Sequence, residues 1–308
     1  MEKRRAYMGK GYKRKAMKRK RRIVRWAIIG VLGVVLVFTF NRGAEERSGI
    51  LNSGIKGEKA SAYIDWQPVQ AGECDPEILG KLQDMAGNDD KVKKLLEQMD
   101  QYPEGILEMV ANNLETIDFA LDYPEKKNMA PADTIGEIER GEIPELLQWD
   151  ERWGYSSYGD GVLGYTGCGP TALCMVIAGL TGDSSVTPSQ VARFADENGY
   201  YAEGQGTCWS LMTEGCKNFG VQGRELGLDK NLIYAELEAG NPIICSMKPG
   251  DFTTKGHFIV LTGVVDGKIQ INDPNSMERS SRLWDYGTIE YQINNLWTFS
   301  AIWGGMSG

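Results

Sequence analysis

The chain has 308 residues, 42% of them hydrophobic, long enough to bury one large core or two modest ones, which excludes a small disulfide-stapled scaffold. The formal charge of -8 conceals two opposed parts: thirteen Lys and Arg face only Glu2 between Met1 and Arg25, and the remainder, 21 basic against 41 acidic residues, carries about −20. With a single histidine, His257, and no C-x-x-C pair, a zinc site is not expected, no cofactor is implied, and any histidine chemistry must use that residue.

The basic block, residues 1–22, runs directly into Ile23 to Phe40, an apolar stretch broken only by Arg25. About 18 residues just span a hydrocarbon core of roughly 30 Å, and Arg25 can snorkel to the headgroups. No small-x-small cleavage site follows Phe40, so residues 23–40 read as an uncleaved signal anchor rather than a removable signal peptide. The positive-inside rule then keeps the tail cytoplasmic and places everything after Asn41 outside. Contacts with anionic lipid headgroups account for the tail's charge without invoking nucleic acid.

Residues 41–74, with Gly43, Gly49, Gly54 and Gly57, read as an extracellular stalk. Over residues 75–140 a helical segment is expected, since Leu79, Leu82, Leu95, Leu96, Ile106, Leu107, Val110 and Leu114 recur at helical spacing, with Pro103 and Pro124 as punctuation. Such a face most often packs on a neighbouring domain. The composition then shifts to Gly, Tyr and Trp, and the main domain is placed at 145–305.

Within that domain, Pro170–Leu180 reads as a buried helix stopped by Gly182, and Pro188–Asn198 as a second, amphipathic one. Strands are expected at 242–247, 257–264, 268–271 and 301–303, with Asp266-Gly267 as a hairpin signal. Helices followed by antiparallel strands make an α+β plan.

The chemistry centres on Gly167-Cys168-Gly169-Pro170. Proline favours the first helical turn, so Cys168 falls at a helix N-terminus, where free N–H groups and the positive end of the macrodipole favour a nucleophilic thiolate. The flanking glycines leave room for a substrate carbonyl. Cys174, inside the apolar run, reads instead as a packing residue. Six cysteines in an exported body permit disulfides, Cys208 with Cys216 among them, but sequence does not fix connectivity.

His257 opens a strand, and Asp273, in Asn272-Asp273-Pro274, ends the next one. There it can orient the imidazole and hold the working tautomer. A plain two-residue loop at Asp266-Gly267 pairs Val260 with Asp273 and leaves His257 on the wrong face. A three-residue loop with a bulge, or an equivalent bulge elsewhere, pairs Ile259 with Asp273 and puts His257 on the aspartate's face as its diagonal neighbour.

Gln148-Trp-Asp, Gly167-Cys168-Gly-Pro-Thr-Ala, Gly206-Thr-Cys-Trp209, Gly256-His257-Phe-Ile-Val-Leu and Asn272-Asp273-Pro274, in this order and spacing, resemble the C39-like peptidases, the double-glycine peptidase group of the papain-like cysteine peptidase superfamily. The resemblance covers roughly the last 160 residues. It implies a papain-like fold in which Cys168 attacks a carbonyl, His257 shuttles the proton and Asp273 orients His257. It also implies a glutamine in the oxyanion hole. Bacteriocin-processing relatives carry that residue six positions before the cysteine, where this chain has Val162, so Gln148 is assigned the role. Trp149, Trp153 and Trp209 are expected in the core or on the cleft wall.

The expected protein is thus a membrane-anchored extracellular cysteine peptidase acting on a peptide or protein. The alternatives are an inactive cell-surface peptide- or wall-binding module on the same fold, and an acyl transferase or amidase using the same triad.

Overall fold

Residues 73–302 are described by the computed structural model. The expected basic tail, signal anchor and nearly all of the stalk lie outside the described residues, among which no helix is long and apolar enough to cross a membrane.

Four helices come first: α1 (Pro76–Ala86), α2 (Asp90–Glu97), α3 (Glu104–Asn112) and α4 (Ile117–Lys126). Local chemistry starts them. Asp75 caps α1 by accepting from the Glu77 N–H, with Pro76 at the first position, and Asp89 caps α2 by accepting from Lys91 and Val92. Pro124 does not punctuate as expected but sits inside α4, in its last turn, where the missing N–H costs a single terminal bond. The inward faces of these helices bring Leu82, Val92, Leu95, Ile106, Leu107 and Val110 to zero exposure, together with Tyr102 between α2 and α3.

That cluster is not self-contained. It includes Tyr155 and Val162 from the following chain. The Phe119 ring stacks on Tyr155 with centroids 4.2 Å apart, and the Tyr155 hydroxyl donates to the Phe119 carbonyl at 3.1 Å.

After a single helical turn at Leu163–Thr166 comes α5 (Cys168–Thr181), which has no exposed surface from Ala172 to Ala178 and stops at Gly182, whose φ of 77 supplies the left-handed end. A reciprocal cap between Thr187 and Gln190 opens α6 (Pro188–Glu197). Then come β1 (Val221–Glu225), α7 (Lys230–Glu238), β2 (Ile243–Met247), β3 (His257–Val265), β4 (Lys268–Asn272) and β5 (Ile293–Ala301). The strands form one sheet in the order β1-β5-β2-β3-β4, each neighbouring pair antiparallel.

Alternation across the strands divides the core in two. Ile244, Val260, Trp297 and Phe299 face α5, whereas Ile243, Cys245, Ile259 and Leu261 face α7. The strand expected at 301–303 lies earlier, at Ile293–Ala301, and is interior, between β1 and β2. Its polar Asn294 and Asn295 interrupt the apolar run that would have marked it.

The β3–β4 hairpin resolves the register question. Its loop has two residues, Asp266 and Gly267, both at positive φ (52 and 74), with Val265 opposite Lys268. The extra residue is Thr262: pairing shifts between Leu261 and Gly263, after which Leu261 faces Ile271 and Val260 faces Asn272. Continued by one step, that register sets Ile259 against Asp273. The bulge, rather than a longer loop, brings His257 to the aspartate's face.

Removing the ring at the junction tests whether the helices and the sheet are one cooperative unit. Phe119→Ala is expected to cost about 3–5 kcal/mol and to lower the urea midpoint of a single transition seen by both tryptophan fluorescence and far-UV circular dichroism. Two separate transitions, only one of them displaced, would contradict it.

Candidate active site

Cys168 is the first residue of α5 and is half-buried. The glycines beside it serve packing more than substrate access. A Cβ at Gly167 would lie 2.5 Å from the Leu163 carbonyl oxygen, and one at Gly169 would lie 2.5 Å from Thr207 Oγ1. The helix start is therefore pressed between the preceding turn and the 206–207 strand, and Cys168 between them lines the cleft.

His257, at the mouth of β3, is buried to 8% exposure. Its Nε2 bonds Asp273 Oδ1 at 2.7 Å. Cys168 lines the same cleft as the ring, and with Nε2 engaged by Asp273 the other ring nitrogen, Nδ1, is left free. Burial alone would disfavour the imidazolium, but the charge and hydrogen bond of Asp273, followed by those of Cys168, outweigh it and hold His257 above its ordinary value.

Asp273 has no exposed surface. Beyond His257, its Oδ1 accepts from the Asn275 N–H at 2.8 Å, and its Oδ2 accepts from Arg279 Nε at 2.5 Å. Burial would raise the carboxyl, yet the charges and hydrogen bonds of His257 and Arg279 hold it below the ordinary range. Arg279 was not among the residues singled out from sequence. It lies on a four-residue helix, Met277–Ser280, with no motif around it.

Gln148 is buried and ties the two halves of the site together. Its backbone N–H donates to the Pro274 carbonyl at 2.7 Å, and its side-chain Nε2 donates to the Gly164 carbonyl at 2.9 Å. One Nε2 hydrogen remains. Its Oε1 is buried without a protein partner.

Cys168, His257 and Gln148 line one cleft of about 1200 Å³. The 204–209 loop forms one wall and carries Trp209, which is 44% exposed and packs edge-on against Trp297 at 5.6 Å. Trp153 is buried in the core, and half-buried Trp149 donates from Nε1 to the Asn275 carbonyl at 3.1 Å. The opposite wall includes Glu104, Glu108 and Asn112 of α3. Lys255, just before His257, reaches Glu108 at 2.7 Å. All six cysteines are free, so Cys208 and Cys216 do not pair.

The Peptidase_C39 like family model matches residues 141–307, a span that holds Gln148, Cys168, His257 and Asp273. The chain belongs to that family. Two solved structures resemble it: the peptidase domain of Streptococcus ComA, a bi-functional ABC transporter involved in a quorum-sensing pathway, at 19% identity and TM-score 0.35, covering 44% of this chain and 92% of that one; and a protein from Bacillus anthracis described as a C39-like peptidase, at 16% identity and TM-score 0.33, covering 53% of this chain and 97% of that one. No curated protein matches the chain. The C39-like assignment carries a cysteine peptidase domain with mixed helices and sheet, and a peptide or protein as its substrate class.

The buried pair has a pH signature. The stability that raised His257 contributes is complete below its ordinary 6.5 and fades as pH rises through its folded value. That of lowered Asp273 is complete above 3.8 and fades as pH falls through its folded value. The destabilisation by Asp273→Asn should accordingly be greatest, about 3 kcal/mol or more, between roughly pH 4 and 6.5, and should shrink on either side in urea titrations. A difference independent of pH would show that the pair is not charged in the fold.

Proposed function

We propose that this chain is a membrane-anchored cysteine peptidase of the outer cell face, cleaving peptide bonds through Cys168, His257 and Asp273. The reading rests above all on one observation: Cys168 and His257 line one cleft, and His257 is bonded at 2.7 Å to the buried carboxylate of Asp273.

In this reading His257, whose protonated form Asp273 favours, takes and holds the proton given up by Cys168, so that the sulfur attacks as the thiolate. The Cys168 sulfur adds to the carbonyl carbon of the scissile bond, and the carbonyl π electrons move onto oxygen. The Cys168 backbone N–H and the free Nε2 hydrogen of Gln148 receive that oxyanion, a contribution of about 2.7–4 kcal/mol per donor in such sites. Collapse of the tetrahedral species breaks the C–N bond as the imidazolium gives its proton to the departing amine. Neutral His257 then takes a proton from water, whose oxygen attacks the thioester carbonyl. Loss of the sulfur releases the carboxylic acid product and restores the pair. Asp273 keeps Nε2 occupied throughout, so Nδ1 alone faces the reacting atoms.

The anchor and outward orientation rest on the basic block before Ile23 and the apolar run to Phe40. Tethering confines such an enzyme to substrates close to its own membrane.

Both parts are tested by alkylating cells that express the full chain with a membrane-impermeant iodoacetamide conjugate at neutral pH, then mapping the labelled cysteines by mass spectrometry. Cys168 is expected to react on intact cells, at least tenfold faster than Cys208 (on the order of the rate gain from an activating base), and to lose that advantage in His257→Ala. Labelling only after lysis would contradict the orientation. A Cys168 no faster than Cys208 in lysed cells would contradict the catalytic reading.

A further inference from the structure

The segment that carries Asp273 is not held by the peptidase domain alone. Between α3 and α4, a single turn (Leu114–Thr116) presents Asn113 and Glu115 to it. Both residues lie outside the span matched by the family model. The Glu115 carboxylate accepts from the Ser276 hydroxyl through Oε1, and from the Met277 and Glu278 N–H groups through Oε2 at 2.9 and 3.2 Å. Asn113 Nδ2 donates to the Asn275 carbonyl at 2.5 Å, and its Oδ1 accepts from the Glu115 N–H at 3.1 Å, which fixes the turn that aims the glutamate.

These contacts fall on the start of the short Met277–Ser280 helix. Ser276 caps it by accepting from the Arg279 N–H at 3.1 Å, and Ser280 Oγ accepts from the Asp273 N–H at 2.9 Å. Arg279 then clamps Asp273 from that helix. Four residues make too few internal bonds to hold a helix in place alone. Its position, and with it the Arg279 Nε contact and the backbone of Asp273, depends on an outside acceptor.

We propose that Glu115, aimed by Asn113, is a positioning residue for the peptidase reaction: it fixes the Asp273–Ser280 segment so that Asp273 meets His257. The helices at 76–126 would on this account be a working part of the enzyme and not a segment to be shed. The proposal rests on the catalytic reading above.

The titratable groups around Asp273 are His257 from β3, Arg279 from the short helix and Glu145, with Glu115 bonded to the start of that helix. Glu145 is raised chiefly by burial and further by the charges of Glu115 and Asp273. Loss of Glu115 removes one negative charge from this group and the three bonds to the helix. If charge were what mattered, Glu115→Gln and Glu115→Ala would behave alike. If the bonds matter, Gln rescues, because its oxygen can accept from both N–H groups while its NH₂ donates to Ser276.

The test is the pH profile of Cys168 carboxymethylation by iodoacetate in the full-length chain. This anionic reagent needs the protonated ring nearby, so the alkaline limb reports loss of the His257 proton. Relative to wild type, Glu115→Ala should move that limb down by about half a pH unit or more, in the same direction as Asp273→Asn, while Glu115→Gln should stay close to wild type. The Gln variant keeps the comparison meaningful should the Ala variant fold poorly. The proposal is overturned if Asp273→Asn moves the limb and a folded Glu115→Ala does not, or if Glu115→Gln moves it as far as Ala. If Asp273→Asn leaves the limb in place, the catalytic reading falls, and the positioning role falls with it.

Discussion

A carboxylate with no exposed surface must be compensated where it lies, because desolvating one charge costs several kcal/mol. Asp273 meets that requirement with His257 on one oxygen, Arg279 on the other, and the Asn275 N–H beside them. The same contacts that make burial tolerable set the chemistry. A histidine bonded through Nε2 to a buried anion keeps its proton and leaves Nδ1 free in the cleft that Cys168 also lines. The site is therefore built outward from Asp273, with the cysteine as its last member.

Three separate pieces of chain deliver this arrangement. Helix α5, pressed at its start between Leu163 and Thr207, fixes the sulfur. The bulge at Thr262 adjusts the β3–β4 register so that His257 and Asp273 share a face. Gln148 spans the two, bonded to Gly164 just before the cysteine and to Pro274 just after the aspartate. The helical segment adds an outer brace through Phe119, Asn113 and Glu115, and its α3 completes the cleft. The cleft is therefore lined by residues of both the peptidase domain and the helices before it.

Much of this is legible in the sequence where a local rule operates. Pro170 and Gly182 bracket α5, Thr187 with Gln190 opens α6, and Asp266-Gly267 sets a two-residue turn, each through backbone chemistry confined to a few residues. The alternation of β3 even shows that a plain hairpin cannot align His257 with Asp273, although it does not say where the extra residue falls. Strands β1 and β5 are not legible: Val-Gln-Gly-Arg-Glu lacks an apolar run, and the Asn pair in β5 borders the cleft, where Asn294 is a lining residue. Arg279 and Glu115 escape for another reason. Their partners are set by tertiary packing, across more than 160 residues in the case of Glu115 and Met277, and no local pattern encodes such a pair.

The central claim is that one buried histidine is held protonated by Asp273, and the chain's having a single histidine makes the claim directly measurable. With ¹³C-labelled histidine incorporated into the full-length protein, one ring signal can be followed through a pH titration without assignment. The account predicts a midpoint well above the ordinary 6.5 that drops on Asp273→Asn. A midpoint near the ordinary value, unchanged by Asp273→Asn, would contradict it.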